Sequence, residues 1–307
     1  MGLSINGVRF IFYARTLGVN FSRTAMIGRQ GLHLSRRDLK DTFKAFRYAV
    51  DDELIDHIFT QRDGFAEQLL MQLGAREVHS FDISSYQGAT HIWDMNKEIP
   101  SDFKEQYTTV LDGGSLEHIF NFPVALRNCM EMLEVGGHYL SVTPANNFMG
   151  HGFYQFSPEI YFRIFAPENG FQLINMIAFE DRPGARWYSV KDPKEVMRRV
   201  ELVNCRPVNL LVVAKRTMKT GIFETPPQQS DYLALWNRYQ VASGGAPPGS
   251  PPATVRASLF NWIRRITPMP AKRFYRRVLQ YTGFAFDRRF FQPFDPTKNK
   301  GLPDRSL

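Results

Sequence analysis

The stretch from Val110 to Asn147, VLDGGSLEHIFNFPVALRNCMEMLEVGGHYLSVTPANN, reads as strand, acidic turn, helix, glycine turn and strand without a break. Thr108 to Leu111 is a short segment rich in β-branched and apolar residues. It stops at Asp112-Gly113-Gly114, where bare backbone lets a ligand approach the carboxyl end of a strand. Phe122, Leu126, Cys129 and Leu133 fall at helical spacing. Gly136-Gly137 is expected to end that helix, and Tyr139 to Val142 to begin the next strand. Such a run is half of an open α/β sheet.

The same periods extend to both sides. Arg23 to Gly28 (RTAMIG) is expected to be the first central strand, ending in Gly28-Arg29-Gln30-Gly31. Ser35 to Thr60 is read as a helical insertion with Phe43, Phe46, Ala49 and Val50 on its apolar face. Phe65 to Leu73 predicts an amphipathic helix closed by Gly74, followed by a second strand at Glu77 to Ile83 and a third at Ala89 to Trp93. Beyond Asn147, Ser157 caps a helix that Pro158 begins and Gly170 ends. Asn175 to Phe179 and Val208 to Ala214 complete seven strands, and Ile222 to Tyr239 is read as a packing segment on the domain edge.

Three features together resemble class I S-adenosylmethionine (SAM) dependent methyltransferases: Leu116 to Ile119 (LEHI), the MLEVGGHYLSVTP run that follows, and the histidine-containing loop before Ser157-Pro158-Glu159. The resemblance spans roughly Thr24 to Arg216 and implies a Rossmann-like, mostly parallel seven-stranded sheet with flanking helices and SAM as cofactor. Carried onto this chain, it places Gly28 in the cofactor loop, Asp82 and Ile83 at the ribose, Asp94 and Met95 near the adenine, and Asp112, Gly113 and Glu117 at the carboxyl edge facing the cofactor. The chain departs from the pattern at Gly28 to Gly31, where the acidic residue and three-glycine rhythm are missing.

Each of these residues has a second reading. Asp82 has two oxygens suited to two ribose hydroxyls, but a strand-end aspartate also caps a turn with Ser84. Asp112 and Glu117 would favour a positively charged sulfonium, or else serve as turn and cap groups. His118, His151 and Tyr154 are the candidate catalytic groups. An imidazole can take a proton from a hydroxyl near neutral pH, and a glycine-flanked loop carrying His151 and Tyr154 suits a lid. The alternatives are a capping histidine and polar loop residues. His118, His138 and His151 show no tight ligand spacing and no paired cysteine accompanies them, so no metal is expected.

Charge divides the chain. The net charge is +8, yet residues 1 to 253 hold 26 basic and 27 acidic side chains, whereas 254 to 307 hold 12 and 3. Between these parts lies GGAPPGSPPA, residues 244 to 253, a linker that forms neither helix nor central strand. The expected organisation is therefore a methyltransferase-like domain at 1 to 243, the linker, and a basic, aromatic-rich helical appendage at 254 to 307. That appendage fits an anionic membrane surface, nucleic acid, or packing on the main domain, with nucleic acid the weakest of the three. Two cysteines, Cys129 and Cys205, make no disulfide framework, so a cytoplasmic setting, peripheral to a membrane if the tail docks there, is expected.

The leading functional expectation is methyl transfer to an oxygen or nitrogen of a small-molecule, glycan or lipid-linked acceptor. A noncatalytic module that docks through its basic tail is the alternative. A nicotinamide-dependent oxidoreductase ranks last, since no GxGxxG turn opens the first helix.

Overall fold

In the computed structural model the central strand is β2 (Arg23–Ile27), whose last four residues are buried. The structure describes residues 2–60, 64–197, 199–233, 284 and 288–298. Ahead of β2 lie β1 (Gly2–Ser4) and α1 (Ile5–Thr16). After it come β3 (Gly31–His33), α2 (Arg36–Ala45), α3 (Asp52–Thr60), α4 (Glu67–Gln72), β4 (Glu77–Asp82), β5 (His91–Ile92), β6 (Tyr107–Asp112) and α5 (Phe122–Met132). The chain continues through β7 (Leu133–Asn146), α6 (Pro158–Ile164), β8 (Phe171–Glu180), β9 (Trp187–Val190), α7 (Pro193–Val196), β10 (Val208–Arg216) and β11 (Phe291–Phe294).

All seven expected strands join one mixed sheet, in the order β11-β9-β8-β10-β7-β6-β2-β4-β5. Strands β5, β4, β2, β6 and β7 run parallel, while β10, β8 and β9 are antiparallel to their neighbours. The expected count of seven is corrected to nine, because β9 and β11 extend the edge beyond β8. From β2 the chain winds outward to β4 and β5, then crosses back to β6 and β7. The switch point therefore lies between β2 and β6, where an open α/β sheet leaves a crevice at its carboxyl ends.

The expected end of α5 is also corrected. Gly136 and Gly137 do not end α5; β7 begins directly after Met132, and its pairing with β6 jumps from Tyr107↔Leu133 to Thr109↔His138. The residues between form a bulge in which Gly136 has φ +96° and a Cβ on Gly137 would stand 3.1 Å from the Tyr107 carbonyl oxygen. The Ser35 to Thr60 insertion is helical as expected, built of α2 and α3, and α2 starts with a reciprocal cap between Ser35 and Asp38. Ser157 caps α6 on the Glu159 amide as expected, but the expectation that Gly170 ends that helix is corrected: α6 stops at Ile164, and Gly170, left-handed at φ +72°, closes a separate 3₁₀ turn at Pro167–Asn169.

The N-terminal helix α1 went unassigned from sequence. Val8, Phe10, Ile11, Phe12, Tyr13 and Ala14 are all buried, around most of its circumference, because the sheet lies on one side and α2 on the other. Phe12 meets Phe43 at 4.8 Å edge to face and Phe46 at 5.5 Å. Gly2–Ser4 pairs in parallel with Gly31–His33, so the segment after Gly28 enters a strand instead of opening a helix.

The chain divides into two compact units. The first holds residues 1–190, 206–227 and 292–307; the second holds 191–205 and 228–291. In the second unit Asp192 caps α7 on the Lys194 amide, Arg199 pairs with Asp231 at 2.7 Å, and the Lys191 amide donates to the Phe290 carbonyl. The 244 to 253 linker and most of the basic 254 to 307 segment lie outside the described residues, as do residues 234 to 239 of the expected packing segment. Among the described residues no helix is long and apolar enough to cross a membrane.

Candidate functional site

At the carboxyl ends of β2, β4 and β5 the chain leaves an open cleft of about 180 Å³. Gly28, Asp82, Ile83, Asp94, Met95 and His118 all line it, with Phe81, Trp93, Asn96, Ser115 and Ile119. Three strand ends converge there because β2, β4 and β5 are parallel neighbours that stop at one edge.

Gly28 turns the chain out of β2 with φ +68°, and its amide donates to the Phe81 carbonyl at 2.7 Å. Arg29 and Gln30 then fix the turn from below. The Arg29 guanidinium lies 4.0 Å from the Phe65 ring, pairs with Glu67 at 2.6 Å and donates to the Gln87 carbonyl. Gln30 is fully buried and donates to the carbonyls of Ile27 and Gly28. Its side-chain oxygen has no partner among the described residues and fills the space a Cβ on Gly113 would need, 2.4 Å away. Gln30 thus packs a loop that carries no acidic side chain of its own.

Asp82 accepts from the Ser84 amide at 3.1 Å through one oxygen and lines the cleft. Turn capping and cleft lining therefore coexist in one carboxylate. Asp94 accepts from the backbone amide of Asn96 at 3.0 Å and its side-chain amide at 2.8 Å, and these bonds hold its carboxyl below the ordinary range. Met95 is 4% exposed and gives the cleft an apolar wall. Asn128, a residue not singled out from sequence, reaches from buried positions of α5 to accept from the Ile99 amide and donate to the Met95 and Lys97 carbonyls. An asparagine on the apolar face of a helix was the signal available.

Asp112 and Gly113 are not among the residues that line this cleft. One Asp112 oxygen accepts from the Ser115 and Leu116 amides at 2.8 and 3.3 Å, and the other from the Ser141 hydroxyl at 3.0 Å. The group is wholly buried, and burial pushes its pKa up despite those bonds. Its work is to close the turn after β6. Tyr154 does not line the cleft either: its hydroxyl donates to the Phe120 carbonyl at 2.6 Å, and its ring stacks 5.9 Å from Phe156. It anchors the loop it belongs to.

Glu117 and His151 come together with His118, the one of the three that lines the cleft. Leu116–His118 is a single 3₁₀ turn, with Glu117 1% exposed in its side chain and His118 at the surface. Burial, then the nearby Asp112 charge, pushes the Glu117 carboxyl up. His151 Nε2 stands 3.4 Å from Glu117 Oε1, and the His118 and His151 rings meet at 4.9 Å. Burial, then His151, pulls the His118 imidazole down, which favours its neutral form near pH 7.

No family model matches the chain, and no curated protein matches it. Among solved structures it is similar to a protein of Listeria monocytogenes provisionally assigned as a SAM-dependent methyltransferase, at 14% identity over 69% of this chain and 97% of that one, with a TM-score of 0.39. It is also similar to the Burkholderia thailandensis 1,6-didemethyltoxoflavin-N1-methyltransferase, solved with 1,6-didemethyltoxoflavin and S-adenosylhomocysteine, at 12% identity over 70% and 78% and a TM-score of 0.38. A third is the branched-chain polyamine synthase of Thermus thermophilus, solved with N4-aminopropylspermidine and 5'-methylthioadenosine, at 11% identity over 73% and 60% and a TM-score of 0.35. At such values the chemistry of this chain has to be read from its own site.

Proposed function

We propose that this chain is a SAM-dependent methyltransferase, acting on an oxygen or nitrogen of a small-molecule, glycan or lipid-linked acceptor. The observation that carries the reading is the cleft beside the switch point, with Asp82 and Asp94 at the ends of, or just after, successive parallel strands and the buried Met95 next to Asp94 in its lining. The donor set suits an adenosine: a strand-end carboxylate for two ribose hydroxyls, a second held ionised for an exocyclic amine, and an apolar wall for the ring.

SAM, when bound, would supply a methyl group on a positively charged sulfonium. Asp82 and Ile83 would hold the ribose end, Asp94 and Met95 the adenine end, and Gly28 would let the backbone approach. His118 lines the cleft at the side towards Ser115 and Ile119 and, when neutral, can accept a proton from an acceptor hydroxyl. His151 overhangs Glu117 from its loop and can do the same. Holding nucleophile and methyl in line within a partly dry crevice would supply most of the rate.

Titration calorimetry of the purified protein with SAM and with S-adenosylhomocysteine tests the reading. Micromolar binding of either is expected, and Asp82→Ala should weaken it at least about tenfold, the cost of one charge-assisted hydrogen bond. A folded protein that binds neither compound would favour the noncatalytic module instead. The basic 254 to 307 segment enters this reading on its charge alone, as a docking element for an anionic membrane surface. Co-sedimentation with phosphatidylserine vesicles that falls off with salt is the expected result; equal binding to neutral vesicles would remove it.

A further inference from the structure

We propose that Glu117, His118 and His151 form a binding site for one divalent first-row transition cation of the zinc type, with coordination positions left for a further ligand. One carboxylate oxygen and one ring nitrogen from each histidine all lie within 4.8 Å of one another. With metal–ligand bonds of about 2.0–2.2 Å, the edge of a tetrahedral site is about 3.3 Å. The 3.4 Å between Glu117 Oε1 and His151 Nε2 already equals that edge. The remaining ring nitrogen lies within 4.8 Å of both, and both histidines stand at the surface.

Two further observations point to a ligand here. Glu117 has a side chain 1% exposed, yet its Oε2 has no hydrogen-bond partner among the described residues. A buried carboxylate oxygen without a partner is costly unless something positive completes it. The loop bearing His151 is also built onto Glu117 itself. The amides of Phe153 and Tyr154 donate to the Glu117 carbonyl at 2.7 and 3.3 Å, and the His151 amide donates to the Phe148 carbonyl at 3.0 Å. Gly152, at φ +67°, passes so close that an added Cβ would stand 2.8 Å from the same carbonyl oxygen. Backbone bonds, not a chance meeting of two mobile side chains, thus hold the third ligand over the first two.

The donor types select the cation. Two imidazoles and one carboxylate suit zinc, cobalt, manganese or ferrous iron, whereas magnesium and calcium prefer all-oxygen shells. Three protein ligands leave at least one position for water or for an oxygen of a small molecule, the arrangement of a reactive rather than a purely structural zinc site. A ring nitrogen bound to the metal cannot accept a proton, so with metal bound this site replaces the proton-accepting role proposed for His118 and His151; the cluster itself stands whether or not the neighbouring cleft binds SAM.

Calorimetric titration of tag-free, chelator-treated protein with ZnCl₂, paired with the visible absorption of the Co²⁺-loaded protein, tests this. One equivalent should bind, with Co²⁺ bands of nitrogen and oxygen ligation and no thiolate charge transfer. His151→Ala and Glu117→Gln should each weaken binding by at least the roughly 10- to 100-fold that loss of even an outer-shell partner costs. Cys205→Ser, at an exposed thiol elsewhere, should change nothing. His151 is half exposed, so its variant folds even where a change at the buried Glu117 does not, and circular dichroism checks both. Wild-type protein that is folded and binds no zinc, or affinity equal in wild type and His151→Ala, would overturn the proposal. S-adenosylhomocysteine binding, measured separately, reports on the cofactor reading alone.

Discussion

At the scale of single residues, the same carboxylate chemistry serves opposite ends depending on burial. Asp82 sits at the lip of the cleft with one oxygen bound to a backbone amide, while Asp112, at the end of an adjacent parallel strand but one, spends both oxygens inside the core. Asp112→Ala would strand the Ser115 and Leu116 amides and should destabilise the protein by about 1–3 kcal/mol, measured by urea unfolding. His138 offers a pH test. Burial, then Lys215, pulls its pKa down to about 4, so the folded chain keeps it neutral. Its contribution is complete above the unfolded value of about 6.5 and is lost as pH falls from there towards 4, by up to about 3 kcal/mol. Compared with His138→Gln, wild-type stability should fall more steeply across that window; parallel curves would mean that the imidazole titrates alike in the folded and unfolded chain.

At the scale of elements, the cleft is held by helices that do not line it. Asn128 of α5 ties down the 95 to 99 segment through three hydrogen bonds, so Asn128→Ala should both lower stability by about 2–3 kcal/mol and weaken S-adenosylhomocysteine binding. Unchanged ligand affinity in that variant would show that the segment keeps its shape without α5. The capping pair Ser35–Asp38 at the start of α2 lies away from the cleft residues. Ser35→Ala should cost about 1 kcal/mol of stability and leave ligand affinity intact.

At the scale of the whole molecule, α1 and the sheet form one core, so removing a ring from it should be felt globally. Phe12→Ala should cost about 3–5 kcal/mol and lower Tm by on the order of 10 °C, read by calorimetry; a change of a degree or two would mark α1 as a loosely attached appendage. What the amino-acid order determined alone was local: strand periods at Arg23–Ile27, Glu77–Asp82 and Val208–Arg216, the Ser157 cap, and the acidic strand ends. Those signals span a few residues and need no partner to act. What only tertiary structure decided was pairing and direction. It turned Asp112 inward, set the Tyr154 hydroxyl on the Phe120 carbonyl, made Gly136 a bulge instead of a helix stop, and added β9 and β11 to the sheet. It also brought His151 to within 3.4 Å of Glu117 across 34 positions of chain, a contact for which no ligand spacing in the sequence gives a sign. The physical reason is the same throughout: burial and long-range hydrogen bonds decide which of two equally good local roles a polar side chain takes, and neither exists until the sheet has closed around it.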